Sequence, residues 1–334
     1  MCKIRNTYKP LFLVLIAGIL FLSCQQKDTI RVSYSSNNEL PVSAAEVFNI
    51  PAAQVAVRDP FVFVDSKTQS YYIHANGGNK IIIYKSKDLK MWRRIAEASF
   101  LPEAAFWGTK DFWAPDLFLY NSKYYMFITV SSDTQKRGST ILVSDKPEGP
   151  FKPLVNAPVT PKDWMCLDAS LYIDKASQPW LIYGRSWQEV TDGEIYAQKL
   201  SSDLKSVTEA PVLLFKATAA SWVGSLTVNG VRGYVTDSPV IYTLDDGTLA
   251  MTWSSFDKGG RYVIGQALSV SSNLSGPWQQ ISQPLNSDHG GHAMLFRDFE
   301  NKLKISYHSP NNANWRLKIY DVAIENRNFK IVTP

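Results

Sequence analysis

The chain has 334 residues, of which 45% are apolar, 13% aromatic and 19% charged. That is enough apolar material for a large core, and it argues against wholesale disorder. The formal charge of +5 falls to +2 without Lys3, Arg5 and Lys9, and no run of five like charges occurs, which argues against a nucleic-acid partner or a polybasic membrane patch.

Those three cations stand among the first ten residues, which hold no acid. Leu11 to Leu22 follow without a charge, and then Ser23-Cys24. Twelve apolar residues are too few for about 30 Å of hydrocarbon, and the layout is that of a secretory signal. The small residue directly before Cys24 predicts lipoprotein processing, with a signal peptide over 1–23 and Cys24 lipidated as the mature N-terminus. Acyl chains there would hold the protein to the cell envelope, on its periplasmic face or at the cell surface, as its only membrane contact. A plain signal peptide or an uncleaved anchor is the alternative. Cys166 then has no disulfide partner, because Cys2 leaves with the signal. Residues 24–54 read as a polar tether leading into a single domain over 55–334.

That domain shows no long helical period, and Gly, Pro, Asn and Asp interrupt it about every ten residues, the pattern of many short strands. A unit recurs five times. It opens with a polar residue and an apolar strand, turns into a second strand ending in small polar residues, and closes with a third. The openings are Arg58-Asp59-Pro60, Trp113-Ala114-Pro115-Asp116, Leu167-Asp168-Ala169, Thr236-Asp237-Ser238-Pro239 and Gly291-His292-Ala293. Counted from Asp59, Asp116, Asp168, Asp237 and His292, the spacings are 57, 52, 69 and 55 residues. A lone sheet of three or four strands cannot bury both faces. Five such sheets around an axis can, which predicts an all-β, five-bladed propeller with about four antiparallel strands per blade. A β-sandwich or two smaller domains is the competing architecture.

In a propeller the first strand of each blade lines the axis and all five run the same way. The opening residues Asp59, Asp116, Asp168, Asp237 and His292 would therefore meet at one mouth. Carboxylates drawn together repel and raise one another's proton affinity, and burial raises it further. A fold gains nothing from such a cluster, whereas glycoside hydrolysis uses one. Bland roles compete: Asp59 as a turn-former before proline, Asp116 as a cap, His292 as a satisfied core histidine.

The motifs VRDPFVFV, FWAPDLFLYNSKYYMF, CLDASLYIDKASQPWLIYG, VTDSPVIY, GGHAMLF and YHSPN together resemble glycoside hydrolase family 43. The likeness covers roughly residues 55–310. It implies a five-bladed propeller acting on arabinose- or xylose-containing glycans by inverting hydrolysis. It places the general base on Asp59 and, on Asp168, the aspartate that tunes the acid and orients the substrate. The family's acid is a glutamate opening the fourth blade, where this chain has Asp237, one methylene shorter. Asp237 is the expected acid, with Glu189 in reserve and Glu194 behind it. The two carboxyl groups should stand about 6.5–9.5 Å apart to admit a water. The likeness also implies that His292 contacts a hydrated, structural Ca²⁺ near the axis, although Ca²⁺ prefers oxygen ligands. No other cofactor is expected.

Phe112, Trp113, Asp116 and Trp187 are the expected substrate contacts, the aromatics offering flat faces to a sugar ring. The expected substrate is a plant oligosaccharide or polysaccharide, with exo removal of terminal α-L-arabinofuranose (or β-xylose or β-galactose) favoured over endo-arabinanase action. A retaining fructoside hydrolase fits poorly, because Arg58-Asp59-Pro60-Phe61 lacks the Asn-Asp-Pro-Asn-Gly pattern. A non-catalytic glycan-binding lipoprotein on the same propeller is the rival from another class.

Overall fold

The computed structural model describes residues 47–333. The signal peptide, Cys24 and most of the expected tether lie outside the described residues. Five antiparallel sheets form a five-bladed propeller. Blade 1 is built from Phe61–Asp65, Ser70–Asn76, Ile81–Ser86 and Met91–Phe100. Blade 2 uses Lys110–Tyr120, Lys123–Ser131, Gly138–Ser144 and Lys152–Pro153. Blade 3 uses Cys166–Ile173, Pro179–Arg185, Glu194–Lys199 and Val212–Lys216. Blade 4 uses Asp237–Thr243, Leu249–Phe256, Tyr262–Ser269 and Trp278–Gln280. Blade 5 uses Gly291–Arg297, Leu303–Ser309, Arg316–Glu325 and Asn328–Val332. The strand predictions hold, with one difference at the start. Ile50–Pro51, expected in the tether, pairs with Met91 and Trp92 and adds a fifth strand to the outer edge of blade 1.

The core is divided among the seams, as the repeat requires. Phe100, Phe112, Leu117 and Met126 fill the seam of blades 1 and 2, and Phe127, Leu171, Leu181 and Tyr183 that of blades 2 and 3. Ile182, Phe215, Met251 and Trp253 fill the next seam, followed by Ile264, Leu295 and Ile305 between blades 4 and 5. Each fully buried side chain of this kind contributes about 1.5–3 kcal/mol. The ring closes between blades 5 and 1. There Val55, Val57, Phe61 and Ile73 pack on Met294, Phe296 and Leu317, and the buried Ser306 hydroxyl donates to the Pro60 carbonyl at 2.8 Å.

One insertion departs from the repeat. Between blades 3 and 4, Leu226–Val228 pairs with Val231–Gly233 as a separate hairpin, which accounts for the longest spacing in the sequence.

Candidate active site

A repeated backbone device aims the site. In blade 2 the three steps from Trp113 to Asp116 face two on the neighbouring strand, from Thr129 to Phe127. The same extra residue occurs between Leu167 and Ser170, Asp237 and Val240, and Gly291 and Met294. Such bulges unpair one residue and redirect its side chain. The redirected residues are Ala114, Asp168, Ser238 and His292, with φ of 45°, 52°, 53° and 58°. Asp59, φ 54°, stands at the same place in blade 1. Left-handed backbone is uncommon for residues other than glycine and persists only where its surroundings enforce it.

The amides freed by the bulges supply that enforcement. Asp59 N–H donates to His308 Nδ1 at 3.1 Å, Asp168 N–H to Thr129 Oγ1 at 2.8 Å, and His292 N–H to Ser254 Oγ at 2.8 Å. Thr129, Ser254 and His308 occupy matching places on the second strands. Blade 3 has Gly184 there, because a Cβ would stand 2.8 Å from the Thr236 carbonyl oxygen. With no side chain to accept it, the Ser238 amide donates to Asp168 Oδ2 at 3.1 Å.

The five equivalent positions are thus Asp59, Ala114, Asp168, Ser238 and His292, which corrects the phase read from the sequence. Asp116 lies two residues beyond the bulge residue of blade 2, and Asp237 one residue before that of blade 4. The acids misled the alignment; a left-handed residue followed by Pro or Ala is the true repeat.

Asp59, Asp168, Asp237 and His292 all line one cavity of about 690 Å³ at this mouth of the propeller. His292 Nδ1 stands 3.2 Å from Asp59 Oδ1 and 3.8 Å from Asp168 Oδ2. His308 Nδ1 and Arg58 Nε approach the same Asp59 oxygen at 3.4 and 3.5 Å. Burial pushes the Asp59 carboxyl up, but Coulombic attraction to His292, Arg58 and His308, the imidazoles acting when protonated, outweighs it and holds it below the usual carboxylate range. Asp237 goes the other way. Burial and the neighbouring Asp168 push it up to about 7, against the opposing pull of His292 and of a hydrogen bond from Tyr262. Asp168 is pushed up to about 7 by burial and by Asp59, with the Ser238 amide opposing. Burial also lowers His292, so its imidazole leans to the neutral form despite Asp59.

Trp113 and Trp187 line the cavity as expected. The Arg137 guanidinium covers the Trp113 ring at 4.4 Å from its centroid, and the hairpin insertion contributes Leu226 and Val228 to the wall. Phe112 does not reach it: the side chain is 1% exposed in the seam of blades 1 and 2. Asp116 is buried away from the lining, with its carboxyl pushed well above the ordinary range by burial, Asp168 and Asp59. Glu189 is not in the lining either. Its carboxylate is tied to Lys136 Nζ at 2.5 Å, Arg185 Nε at 2.9 Å and the Met165 amide at 3.0 Å. These contacts overcome its burial and lower its proton affinity, the opposite of what an acid needs. Glu194 is held by Lys216 at 3.0 Å and the Tyr196 hydroxyl at 2.9 Å.

Beside the acids stand Arg58, Tyr262, His308 and Asn311, to which the sequence assigned no role. Arg58 Nη1 donates to Asn311 Oδ1 at 2.8 Å, and His308 Nε2 lies 3.2 Å from the same oxygen. The Arg-Asp-Pro and YHSPN motifs contained three of them. Tyr262 carried no signal.

Residues 48–326 match Glycosyl hydrolases family 43. The chain belongs to that family. A solved endo-arabinase from Bacteroides thetaiotaomicron is 54% identical, with a TM-score of 0.83 over 84% of this chain and 99% of its own. A thermostable family-43 glycoside hydrolase, 23% identical with a TM-score of 0.72 over 87% of this chain and 96% of its own, shares the fold. Among curated proteins, the extracellular endo-alpha-(1->5)-L-arabinanase 1 of Bacillus subtilis is 25% identical over 159 residues, 40% of this chain and 48% of that enzyme. The xylosidase/arabinosidase 43A of Humicola insolens is 31% identical over 81 residues, 24% of either chain. The aligned stretches thus span about half and about a quarter of those two relatives.

The calcium expectation rests on His292 alone. Among the described residues no group of three His, Cys, Asp or Glu side chains could hold a metal ion, and a single nitrogen is a donor that Ca²⁺ disfavours. An ion beside His292 would therefore draw most of its ligands from water, and no step below runs through one.

Proposed function

We propose that the protein hydrolyses α-1,5-linked L-arabinan with inversion, Asp59 acting as base and Asp237 as acid. The carrying observation is the divergence of the two carboxyl groups at one cavity, Asp59 held low and Asp237 pushed up to about 7. Environments that drive two carboxyls apart in this way support Asp59 as the base, and of the two carboxyls pushed up to about 7, Asp237 is the one that opens the fourth blade, where the family's acid stands. Asp59 would take a proton from the attacking water as that water bonds to the anomeric carbon. Asp237 would give its proton to the departing glycosidic oxygen, and Asp168, once ionised, would keep Asp237 protonated near neutral pH. Trp113 and Trp187 would offer sugar-facing surfaces.

The names of the 54% identical solved relative and of the Bacillus subtilis relative support arabinan cut within the chain. Removal of terminal arabinofuranose is the second reading, favoured by the hairpin that walls one side of the cavity. Linear arabinan followed by chromatography separates them: mixed oligosaccharides appear first for internal cleavage, free arabinose alone for terminal cleavage. Proton NMR of the first anomer formed tests inversion, and retention would overturn the mechanism. Lipidation of Cys24 adds a cell-envelope location to the proposal. Metabolic labelling with a palmitate analogue, lost in Cys24→Ser, is its test.

A further inference from the structure

Tyr262 opens the third strand of blade 4 and is 1% exposed. Its hydroxyl donates to Asp237 Oδ2 at 3.0 Å. Its ring stacks on His308, centroids 5.8 Å apart at 21°, and His308 in turn holds the Asp59 amide. The Tyr262 amide is fixed as well, donating to His289 Nδ1 at 2.9 Å. The facing position is Gly291, where a Cβ would come within 2.5 Å of the ring. The side chain is therefore wedged from several directions, and a single contact chain runs from Asp237 through Tyr262 and His308 to Asp59.

A carboxylic acid has one oxygen that carries the proton and one that accepts. With Tyr262 donating to Oδ2, Oδ1 is the oxygen left free to carry the acid proton. We propose that Tyr262 is the positioning residue for the acid, fixing the Asp237 carboxyl so that Oδ1 carries the proton to be transferred. This inference rests on the acid role proposed for Asp237. In the transfer, the Asp237 Oδ1–H bond breaks and an O–H bond forms on the departing sugar oxygen as its bond to the anomeric carbon breaks. The negative charge left on Asp237 is met by the Tyr262 hydrogen bond, which strengthens as the carboxylate forms. The phenol stays a donor throughout, because burial and the adjacent Asp237 raise its proton affinity well above the ordinary value. Other charged groups facing the pair are Asp168, Asp59, Arg58 and His292. A short aspartate in place of the family's glutamate makes such fixing matter more, since it has one fewer rotatable bond with which to find the leaving oxygen.

Tyr262→Phe keeps the ring, its stack on His308 and its fit against Gly291, and deletes only the hydroxyl. Two substrates separate acid assistance from everything else: linear arabinan, whose sugar leaving group needs a proton, and an arabino-oligosaccharide bearing a 4-nitrophenyl aglycone, whose leaving group needs little. Expected for Tyr262→Phe is a fall in kcat of about 10- to 100-fold on arabinan, the worth of one hydrogen bond to a charged group, with a much smaller fall on the aryl substrate. The alkaline limb of the arabinan profile should also move to higher pH, because the lost hydrogen bond favoured ionised Asp237. Equal losses on both substrates, or no loss on either, would overturn the inference. Asp237→Asn, run alongside, tells which reading failed. If it shows the substrate split and Tyr262→Phe does not, the positioning role alone is wrong; if it shows no split, the acid assignment itself is wrong. Circular dichroism and melting of each variant confirm that the chain tested is folded. Should Tyr262→Phe not fold, Gly291→Ala, which crowds the same ring, carries the same two-substrate comparison.

Discussion

The Asp168 carboxylate accepts the Ser238 amide at 3.1 Å across the seam of blades 3 and 4, so the side chain that opposes ionisation of Asp237 also fixes the backbone that bears it. The two effects separate by substitution. Asp168→Asn keeps an oxygen for the Ser238 amide but removes the charge, so Asp237 ionises more easily. Since the acid works only while protonated, the alkaline limb of the arabinan profile should move to lower pH, with kcat at pH 7 down about tenfold or more. Asp168→Ala loses the acceptor too and should be less active still. An alkaline limb that stays in place in Asp168→Asn would remove Asp168 from the control of the acid.

With Asp59 as the proposed base, the acid limb should report its titration. Its low proton affinity, achieved against burial by His292, Arg58 and His308, predicts activity persisting below the ordinary carboxylate range. Arg58→Gln removes one of those charges while keeping a donor toward Asn311. Its acid limb should move to higher pH and its alkaline limb much less, measured as kcat/KM on arabinan between pH 3 and 9. An unmoved acid limb would mean that another group governs it.

The site also costs stability in a pH-dependent way. Asp237 has a folded pKa near 7 against an ordinary value near 4. The folded chain therefore holds this proton more tightly than the unfolded chain, and the advantage is lost as pH rises from about 4 through 7. Above that window the buried charge is a fixed penalty. Asp237→Asn should melt several degrees higher than the parent at pH 8, since three pKa units correspond to at most about 4 kcal/mol and each 1 kcal/mol to about 2–4 °C, with the difference vanishing toward pH 4. A gain of equal size at both pH values would assign the effect to packing.

Much of this was legible from the chain. Apolar strands recurring at a near-constant spacing demand sheets that bury one another, so the five blades can be counted in the sequence alone. Asp59, Asp168 and His292 are each the left-handed residue leading into a first strand, with Pro or Ala next, so there the polar opener of the repeat and the aimed residue coincide. In blades 2 and 4 the acid and the bulge are different residues, Asp116 beyond Ala114 and Asp237 before Ser238, so reading acids as phase markers slipped there. Phe112 looked like Trp113 in sequence, yet the two point to opposite sides, one into a seam and one into the cavity. Tyr262 could not be read at all. It starts a third strand, and only the closed ring brings that strand under His308 of another blade.

Glu189 tests how far a carboxylate near the mouth can be mistaken for an acid. It lies on the short helix Trp187–Val190, whose Trp187 and Gln188 line the cavity while Glu189 faces Lys136, Arg185 and the Met165 amide. Those three donors tie blade 2 to blade 3 and hold the helix in place, so the side chain acts as a brace. Glu189→Gln keeps an oxygen for the Met165 amide and loses the charge that both cations meet. The pH profile on arabinan should keep both limbs where they are, while melting falls by about 2–5 °C, as expected when charged hydrogen bonds are weakened. KM should rise as Trp187 and Gln188 loosen, with kcat less affected. A displaced alkaline limb in Glu189→Gln, together with an undisturbed melting temperature, would return the acid role to this residue and take it from Asp237.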